Sequence, residues 1–185
     1  MSIHEFIISI YLIIEELYLL IVKKPLRTRG FPPALSDIEI ITMQIVGEFL
    51  SLDSDKNIWI YFKHNWLEWF PKLGSYPNFC KHCSNLWNIN QQITSKLSSR
   101  FGSDNIHFID GFPIPVCRYA RAKKHKNFKA SAGLADRFHI QKVRAKDLWH
   151  LTHRIVRKIL SHTISVILNI KLGNPPLQLE ILIKS

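Results

Sequence analysis

Residues 106–129 constrain the fold of this 185-residue chain most, because the character of the sequence changes twice within them. A β-rich apolar run ends on the carboxylate of Asp110, and the chain then turns through Gly111 and Pro113. A second apolar run, residues 115–119, returns before the sequence becomes densely basic. We therefore predict two short strands here, and since two strands do not form a stable sheet in water, they need partners.

Helical patterns dominate the rest of the chain. Ser36 followed by Glu39 has the spacing of a capping box and predicts the start of a helix. The other predicted helices span residues 3–22, 55–70, 78–99 and 145–170. The apolar face predicted for the last of these consists of Leu148, Leu151, Ile155, Ile159, Ile164 and Ile167. The fold class predicted from these patterns is mainly α with a small β element.

The change of pattern also divides the chain into three regions. Residues 1–100 are predicted to be a helical region for which DNA binding is one interpretation, residues 101–130 carry the strand pair and a basic stretch, and residues 131–185 form a helical C-terminal region. A helix-turn-helix reader and a helical unit of another kind are equally consistent with the first region.

Charge indicates the class of partner. The formal net charge is +11, which favours attraction to nucleic acid or to another polyanion. The cations predicted to contact DNA are Arg118, Arg121, Lys123, Lys124, Lys126, Lys129, Lys142 and Arg144, and the dense basic region continues through Arg154, Arg157 and Lys158. The alternative is a solvated basic face without a partner.

The apolar segment at residues 6–22 needs a separate interpretation. Glu15 and Glu16 lie in its middle, and the segment is shorter than the roughly 20 residues that span a bilayer. A buried amphipathic helix is therefore favoured over a membrane segment. The three cysteines are few and odd in number, which fits a reducing cytosol better than a disulfide scaffold.

Three further patterns allow a functional and a structural interpretation. Trp59, Phe62, Trp66 and Trp69 follow a helical spacing that suits either base stacking or, more often, a core. Cys80 and Cys83 flank His82, but a structural zinc site needs four ligands, so packing is favoured. The histidines of the last predicted helix, His150, His153 and His162, are likewise expected to be surface or packing residues.

Residues 108–123, FIDGFPIPVCRYARAK, resemble bacterial insertion-sequence transposases of the DDE type, in particular the insertion-sequence 982 group. The helical N-terminal part and residues 138–149, FHIQKVRAKDLW, resemble the same proteins. The resemblance implies an RNase H-like core in which three carboxylates hold two Mg²⁺ ions, with Asp110 as the first catalytic and metal-binding acid. It also implies double-stranded DNA at transposon ends as the partner, a homodimer as one expected assembly, and a location in the bacterial cytoplasm at the nucleoid.

The sequence departs from this family pattern after Lys129. The acids that follow Asp110 are Asp136, Asp147 and Glu180, and none of them matches the position of the second or third catalytic acid. We interpret the departure as an internal deletion near residues 127–135 that leaves a fragment of the RNase H-like core. The expected protein is a transposase remnant without strand-transfer activity. The alternatives are a DNA-binding remnant that competes for transposon ends, and an unrelated small helical protein.

Overall fold

The computed structural model describes residues 1–24, 26–27, 32–52, 54–101 and 148–183. Within these residues there are six α-helices, one short 3-10 helix and no strand. The helices are α1 (Ile3–Ile21), α2 (Asp37–Phe49), α3 (Asp55–Asn65), α4 (Tyr76–Asn85), α5 (Trp87–Phe101) and α6 (Leu148–Lys171), and the 3-10 helix is Leu179–Ile181. The prediction of a mainly α chain is confirmed, whereas both predicted strands lie outside the described residues.

Capping boxes define the starts of the first two helices. The hydroxyl of Ser36 accepts a hydrogen bond from the backbone N–H of Glu39 at 3.1 Å, and the Glu39 carboxylate accepts one from the Ser36 N–H at 2.6 Å. Ser2 and Glu5 form the same pair of bonds at the start of α1. Each box satisfies backbone donors that a helix start leaves unpaired, so the predicted start at Ser36 is confirmed.

Helix α1 packs an apolar face against α2. The buried side chains on this face are Phe6, Ile7, Ile10, Ile14 and Leu17. Glu16 is exposed on the opposite side, where its carboxylate accepts a bond from Arg100 at 2.9 Å. The predicted buried amphipathic helix is therefore confirmed. Among the described residues, none of the helices has the length and apolar character needed to cross a bilayer.

Helix α3 ends earlier than predicted. The side-chain amide of Asn65 donates to the carbonyl of Tyr61 at 2.8 Å, a local bond that competes with continuation of the helix. The end predicted at residue 70 is wrong for this reason. The predicted aromatic core is confirmed for Phe62 and Trp66, which are buried, whereas Trp69 is 41% exposed.

The single helix predicted for residues 78–99 is wrong, because two helices occupy this part of the chain. Leu86 separates α4 from α5, and its side chain is fully buried. The break follows Ser84 and Asn85, two residues with low helix propensity. The Ser84 hydroxyl donates to the carbonyl of Cys80 at 3.0 Å and so competes with backbone bonds at this point.

Helix α6 packs against α2 and α5. The predicted apolar face is correct at Ile164 and Ile167, which are buried, but wrong at Leu148 and Ile159, which are 77% and 41% exposed. Polar and charged side chains of α6 are buried instead, namely His153, Arg157, Lys158, Ser161, Ser165 and Asn169. Arg157, Lys158 and Ser161 bond to α2 or α3, whereas Ser165 bonds to the Ser161 carbonyl within α6 and Asn169 bonds to the chain just after α6. The helical period of the sequence does not reveal these partners.

Helices α5 and α6 run in the same direction. Near the start of α5, the Asn90 amide donates to the Gln44 side chain of α2, and the Ser161 hydroxyl of α6 donates to the adjacent Ile45 carbonyl. Near the end of α5, Arg100 pairs with Glu16, whose carboxylate also lies within the electrostatic range of Lys171 in the last turn of α6. Helix α5 therefore begins near the middle of α2, and α6 passes the same point at Ser161. Both helices end near Glu16.

Candidate nucleic-acid interface

The residues predicted to carry the function lie outside the described residues. These are Asp110, Arg118, Arg121, Lys123, Lys124, Lys126, Lys129, Lys142 and Arg144. Their roles as metal ligand and DNA contacts therefore stay predictions. Arg157 and Lys158, which the charge pattern assigned to the basic surface, are described, and their side chains are only 2% and 5% exposed. For these two cations the assignment to a DNA-facing surface is wrong.

The α4–α5 surface is a second candidate interface, and sequence reasoning missed it. Residues 69–103 contain no Asp or Glu, and α4 and α5 lie within this interval. The exposed polar side chains of the α4–α5 surface are Asn78, Lys81, Asn85, Asn88, Gln91, Gln92, Ser95, Lys96, Ser98, Ser99 and Arg100. All of them are amides, hydroxyls or cations, so this surface does not repel a phosphate backbone. The long interval without acidic residues is the signal in the sequence that identifies it.

The opposite sides of both helices anchor the α4–α5 surface to the core. Phe79 and Cys83 of α4 are buried, as are Ile89, Ile93 and Leu97 of α5. The spacing of the buried residues fixes which side chains of each helix face solvent. Amides and cations on packed helices are side chains that contact bases and phosphates in protein–DNA complexes.

The link between α4 and α5 does not match a helix-turn-helix. Leu86 is the one residue between these helices, whereas that motif uses a turn of 3 to 4 residues. The connections between α2 and α3 and between α3 and α4 are longer. The α4–α5 junction is therefore not the helix-turn-helix that was one of two alternatives for residues 1–100, and the candidate interface is a surface formed by consecutive helices.

A cavity of about 570 Å³ lies beside α4. Arg27, Lys72 and Lys81 contribute cations to its lining, which also includes His82 and, as far as the structure describes the chain, contains neither Asp nor Glu. Its apolar lining consists of Pro32, Pro33, Ala34, Leu35, Ile40, Leu73 and Phe79. Because Lys81 belongs both to the cavity and to the α4–α5 surface, the two features are continuous.

Asp37 holds two residues of this cavity in place. Its carboxylate lies 2.5 Å from Nε2 of His82 and 3.1 Å from the guanidinium of Arg27, and the Tyr18 hydroxyl donates to it at 2.7 Å. Burial acts to raise the pKa of Asp37, but the bonds from His82 and Tyr18 and the charge of Arg27 outweigh burial and lower it. Asp37 therefore remains a carboxylate at neutral pH and orients both partners.

A buried charge cluster connects α2, α3 and α6. The guanidinium of Arg157 and the ammonium of Lys158 each donate to the Glu48 carboxylate at 2.6 Å, and Arg157 also pairs with Asp55. Glu48 is 1% exposed. Two cations and two carboxylates balance in charge, so the cluster has no surplus charge to offer a ligand. We interpret it as a structural element.

His153 lies beside this cluster and is 7% exposed. Burial, followed by the charge of Arg157, lowers the pKa of His153 to about 4, so its ring is neutral at pH 7. Its Nε2 has no hydrogen-bond partner within the described part of the chain, and its ring packs against Trp149 with centroids 5.4 Å apart. The prediction that His153 is a packing residue is confirmed.

Cys80 and Cys83 occupy different environments. Cys83 is fully buried in the core, as expected for a packing cysteine, and the thiol of Cys80 lies 3.8 Å from the Asp55 carboxylate. Burial raises the pKa of both thiols, which disfavours the thiolate that zinc binds. In the described ranges, no group of three His, Cys, Asp or Glu side chains is arranged to hold a metal ion.

A scan with protein-family models gave no match, and searches of curated proteins and of solved structures gave none either. The resemblance to insertion-sequence transposases therefore stays a prediction from the residues that carry it.

Proposed function

We propose that this chain is a double-stranded-DNA-binding protein derived from an insertion-sequence transposase, with binding retained and strand transfer lost. The observation that carries the binding proposal is the α4–α5 surface, where a long interval without acidic residues presents amides and cations to solvent. The chain continues from α5 directly into residues 102–147, which contain ten Lys and Arg against four Asp and Glu. Both features favour a polyanionic partner.

The proposed binding combines two kinds of contact. Lys81 and Lys96 are exposed on the α4–α5 surface and are suited to phosphates, where each contact releases condensed counterions, whereas Arg100 is paired with Glu16. Asn and Gln side chains on the same surface are able to pair with adenine edges in the major groove. The cations from Arg118 to Arg144 extend the phosphate contacts along the chain. Affinity is therefore expected to depend steeply on salt.

Catalysis by two Mg²⁺ ions does not fit the acids that this chain offers. A two-metal site requires several carboxylates that converge on both ions, and the resemblance supplies only Asp110. Asp136 and Asp147 lie in or beside the residues that resemble the C-terminal family segment, and Glu180 is exposed in the 3-10 helix. We therefore derive no cleavage or strand-transfer step. A DNA-binding remnant of this kind would act by competing for transposon ends.

The binding proposal is tested by fluorescence anisotropy with a labelled duplex at several salt concentrations. We expect log K to fall linearly with log salt, with a slope of about −0.9 for each phosphate contacted. Lys96→Glu introduces an acid into the α4–α5 surface and should weaken binding about 10-fold or more. Lys56→Glu makes the same change at an exposed position on α3 and serves as the matched control. Equal loss in both variants would contradict an interface at α4–α5.

Loss of catalysis is tested separately with a supercoiled plasmid carrying candidate transposon ends. We expect no Mg²⁺-dependent nicking above that of the Asp110→Asn variant. Nicking by the wild-type chain that disappears in Asp110→Asn would show that an active site is assembled, and the proposal of a non-catalytic remnant would then be abandoned.

A further inference from the structure

We propose that the cavity beside α4 is a phosphate-binding site, which in the DNA complex receives one backbone phosphate next to the α4–α5 surface. This inference rests on the proposed function for the source of the phosphate, but the site itself does not depend on it. The ligand chemistry is a phosphate group, either a phosphodiester of duplex DNA or a free phosphate ion.

Three cations reach the cavity from three separate segments. Arg27 comes from the residues after α1, Lys72 from the loop before α4, and Lys81 from α4 itself. A run of lysines along one solvated face needs no particular fold. Here, by contrast, the fold brings cations from three separate segments to the same cavity. Among the described residues no carboxylate lines the cavity, and its three cations outnumber the one carboxylate behind its wall, Asp37, which favours an anion.

The charges do not cancel within the cavity wall. Asp37 lies behind the wall, where its single negative charge is shared between Arg27 and His82. Lys72 and Lys81 have no salt bridge to any residue in the described part of the chain, and both are exposed. Two mobile ammonium groups are therefore able to close on an anion that Arg27 and the cavity wall position.

The polar and apolar parts of the lining suit a phosphate that is attached to a sugar. Asn78 and Asn85 supply amide donors from α4, and Gly74 and Asn78 line the cavity at the N-terminal end of that helix, where the helix dipole favours an anion. Leu35, Ile40 and Phe79 form an apolar wall. The volume of about 570 Å³ exceeds the need of a phosphate ion and leaves room for an adjoining deoxyribose.

The test uses the full-length chain and the cavity variant Lys72→Gln, because Lys72 lines the cavity but does not belong to the α4–α5 surface. The control is Lys56→Gln, which removes an exposed lysine that does not line the cavity. In duplex anisotropy titrations, loss of the Lys72 ammonium should reduce the magnitude of the salt slope by about 1. The control should leave the slope unchanged. Thermal unfolding checks that each variant is folded.

A second measurement separates the two sources of phosphate. Inorganic phosphate is titrated against chloride at constant ionic strength, and the backbone amide signals of Gly74 and Asn78 are followed by NMR. Shifts of these signals that vanish in the cavity variant support the site. If the salt slope of duplex binding is also reduced in the cavity variant, the site binds a phosphate of DNA. If that slope is unchanged, the site binds a free phosphate ion.

If the wild-type chain fails to bind duplex but phosphate still shifts the Gly74 signal, the proposed function fails while the phosphate site stands. If duplex binds but the cavity variant matches the control in both measurements, the phosphate site is overturned and the proposed function stands.

Discussion

Helices α1 and α6 both pack against α2, but only α6 adds buried charged side chains to its apolar contacts. Helix α1 buries aliphatic and aromatic side chains, among them Phe6, Ile10 and Ile14. Helix α6 buries Leu160, Ile164, Ile167 and Leu168 as well, but it also buries the charged side chains of Arg157 and Lys158 together with hydroxyls and an amide. The same helix α2 thus has one surface that accepts any apolar partner of suitable shape and another that requires particular partners.

The two kinds of contact have different consequences: apolar burial contributes stability, and the buried charges fix how the helices align. Each fully buried aliphatic side chain of α1 contributes roughly 2 kcal/mol of transfer free energy, and this contribution changes little when a helix shifts slightly. For the charge cluster of α6, the free energy of desolvation nearly offsets the attraction between the charges. Because Glu48 bonds both Arg157 and Lys158, a shift of one residue along α6 breaks both bonds. We therefore infer that the charge cluster mainly fixes the register of α6, whereas the apolar side chains of α1 mainly contribute stability.

The largest effect is expected when one member of the charge cluster is removed. Glu48→Ala leaves Arg157 with Asp55 alone and leaves Lys158 buried without a carboxylate, which should lower the free energy of unfolding by about 3–5 kcal/mol. Urea unfolding measures the change. Glu68→Ala, at an exposed position, is the control and should change stability by less than about 0.5 kcal/mol. A loss below about 1 kcal/mol in Glu48→Ala would contradict the buried cluster.

A cavity in the α1 surface should have the next largest effect. Ile14→Ala removes a fully buried side chain and should lower the free energy of unfolding by about 3 kcal/mol. Leu12→Ala on the same helix removes a side chain that is 56% exposed and should have a much smaller effect. Urea unfolding of the two variants compares them directly. Similar losses of unfolding free energy in the two variants would contradict the exposure of the outer face of α1.

The smallest of the three effects is a dependence on pH that belongs to α6. His153 has a pKa of about 4 in the folded protein and near 6.5 when unfolded, so its contribution to stability is complete above pH 6.5 and is lost as pH falls towards 4. The expected loss is about 2 kcal/mol between pH 6.5 and pH 5. His153→Gln should flatten this part of the curve.

The pH curve also contains a contribution of the same sign from His162, whose pKa is lowered by burial, so His153→Gln should leave part of the slope. His64→Gln, at an exposed position, is the control. If the curves of His153→Gln and the wild type coincide between pH 6.5 and pH 5, the buried neutral state of His153 is refuted.

The same comparison explains which parts of the fold were predictable from the sequence. The start of α2 depends on Ser36 and Glu39, which are three residues apart, so the sequence contains the whole interaction. The burial of Arg157 depends on Glu48, which is 109 residues away. Charge density counts cations without regard to such distant partners, and for that reason it assigns Arg157 and Lys158 to a DNA-facing surface.

The candidate interface also has one feature that the sequence reveals and one that depends on the fold. The absence of acids from residues 69–103 is visible in the sequence, but the prediction concentrated on cations and overlooked it. The convergence of Arg27, Lys72 and Lys81 was not predictable, because it depends on how the loops before α2 and α4 pack. The roles of Asp110 and of the cations from Arg118 to Arg144 remain predictions that only experiments on those residues test.

The common direction of α5 and α6 sets a minimum length for the chain that joins them. The end of α5 lies beside the last turn of α6, so the connection has to return along a helix of 24 residues, or about 36 Å. About 11 extended residues cover that distance, and residues 102–147 contain several times that number. Since the entropy of closing a loop changes only slowly with its length, codons for tens of residues can be lost there while α5 and α6 still reach their places. A deletion between α5 and α6 would therefore remove whatever function that connection carries and still leave a chain able to form the helical body.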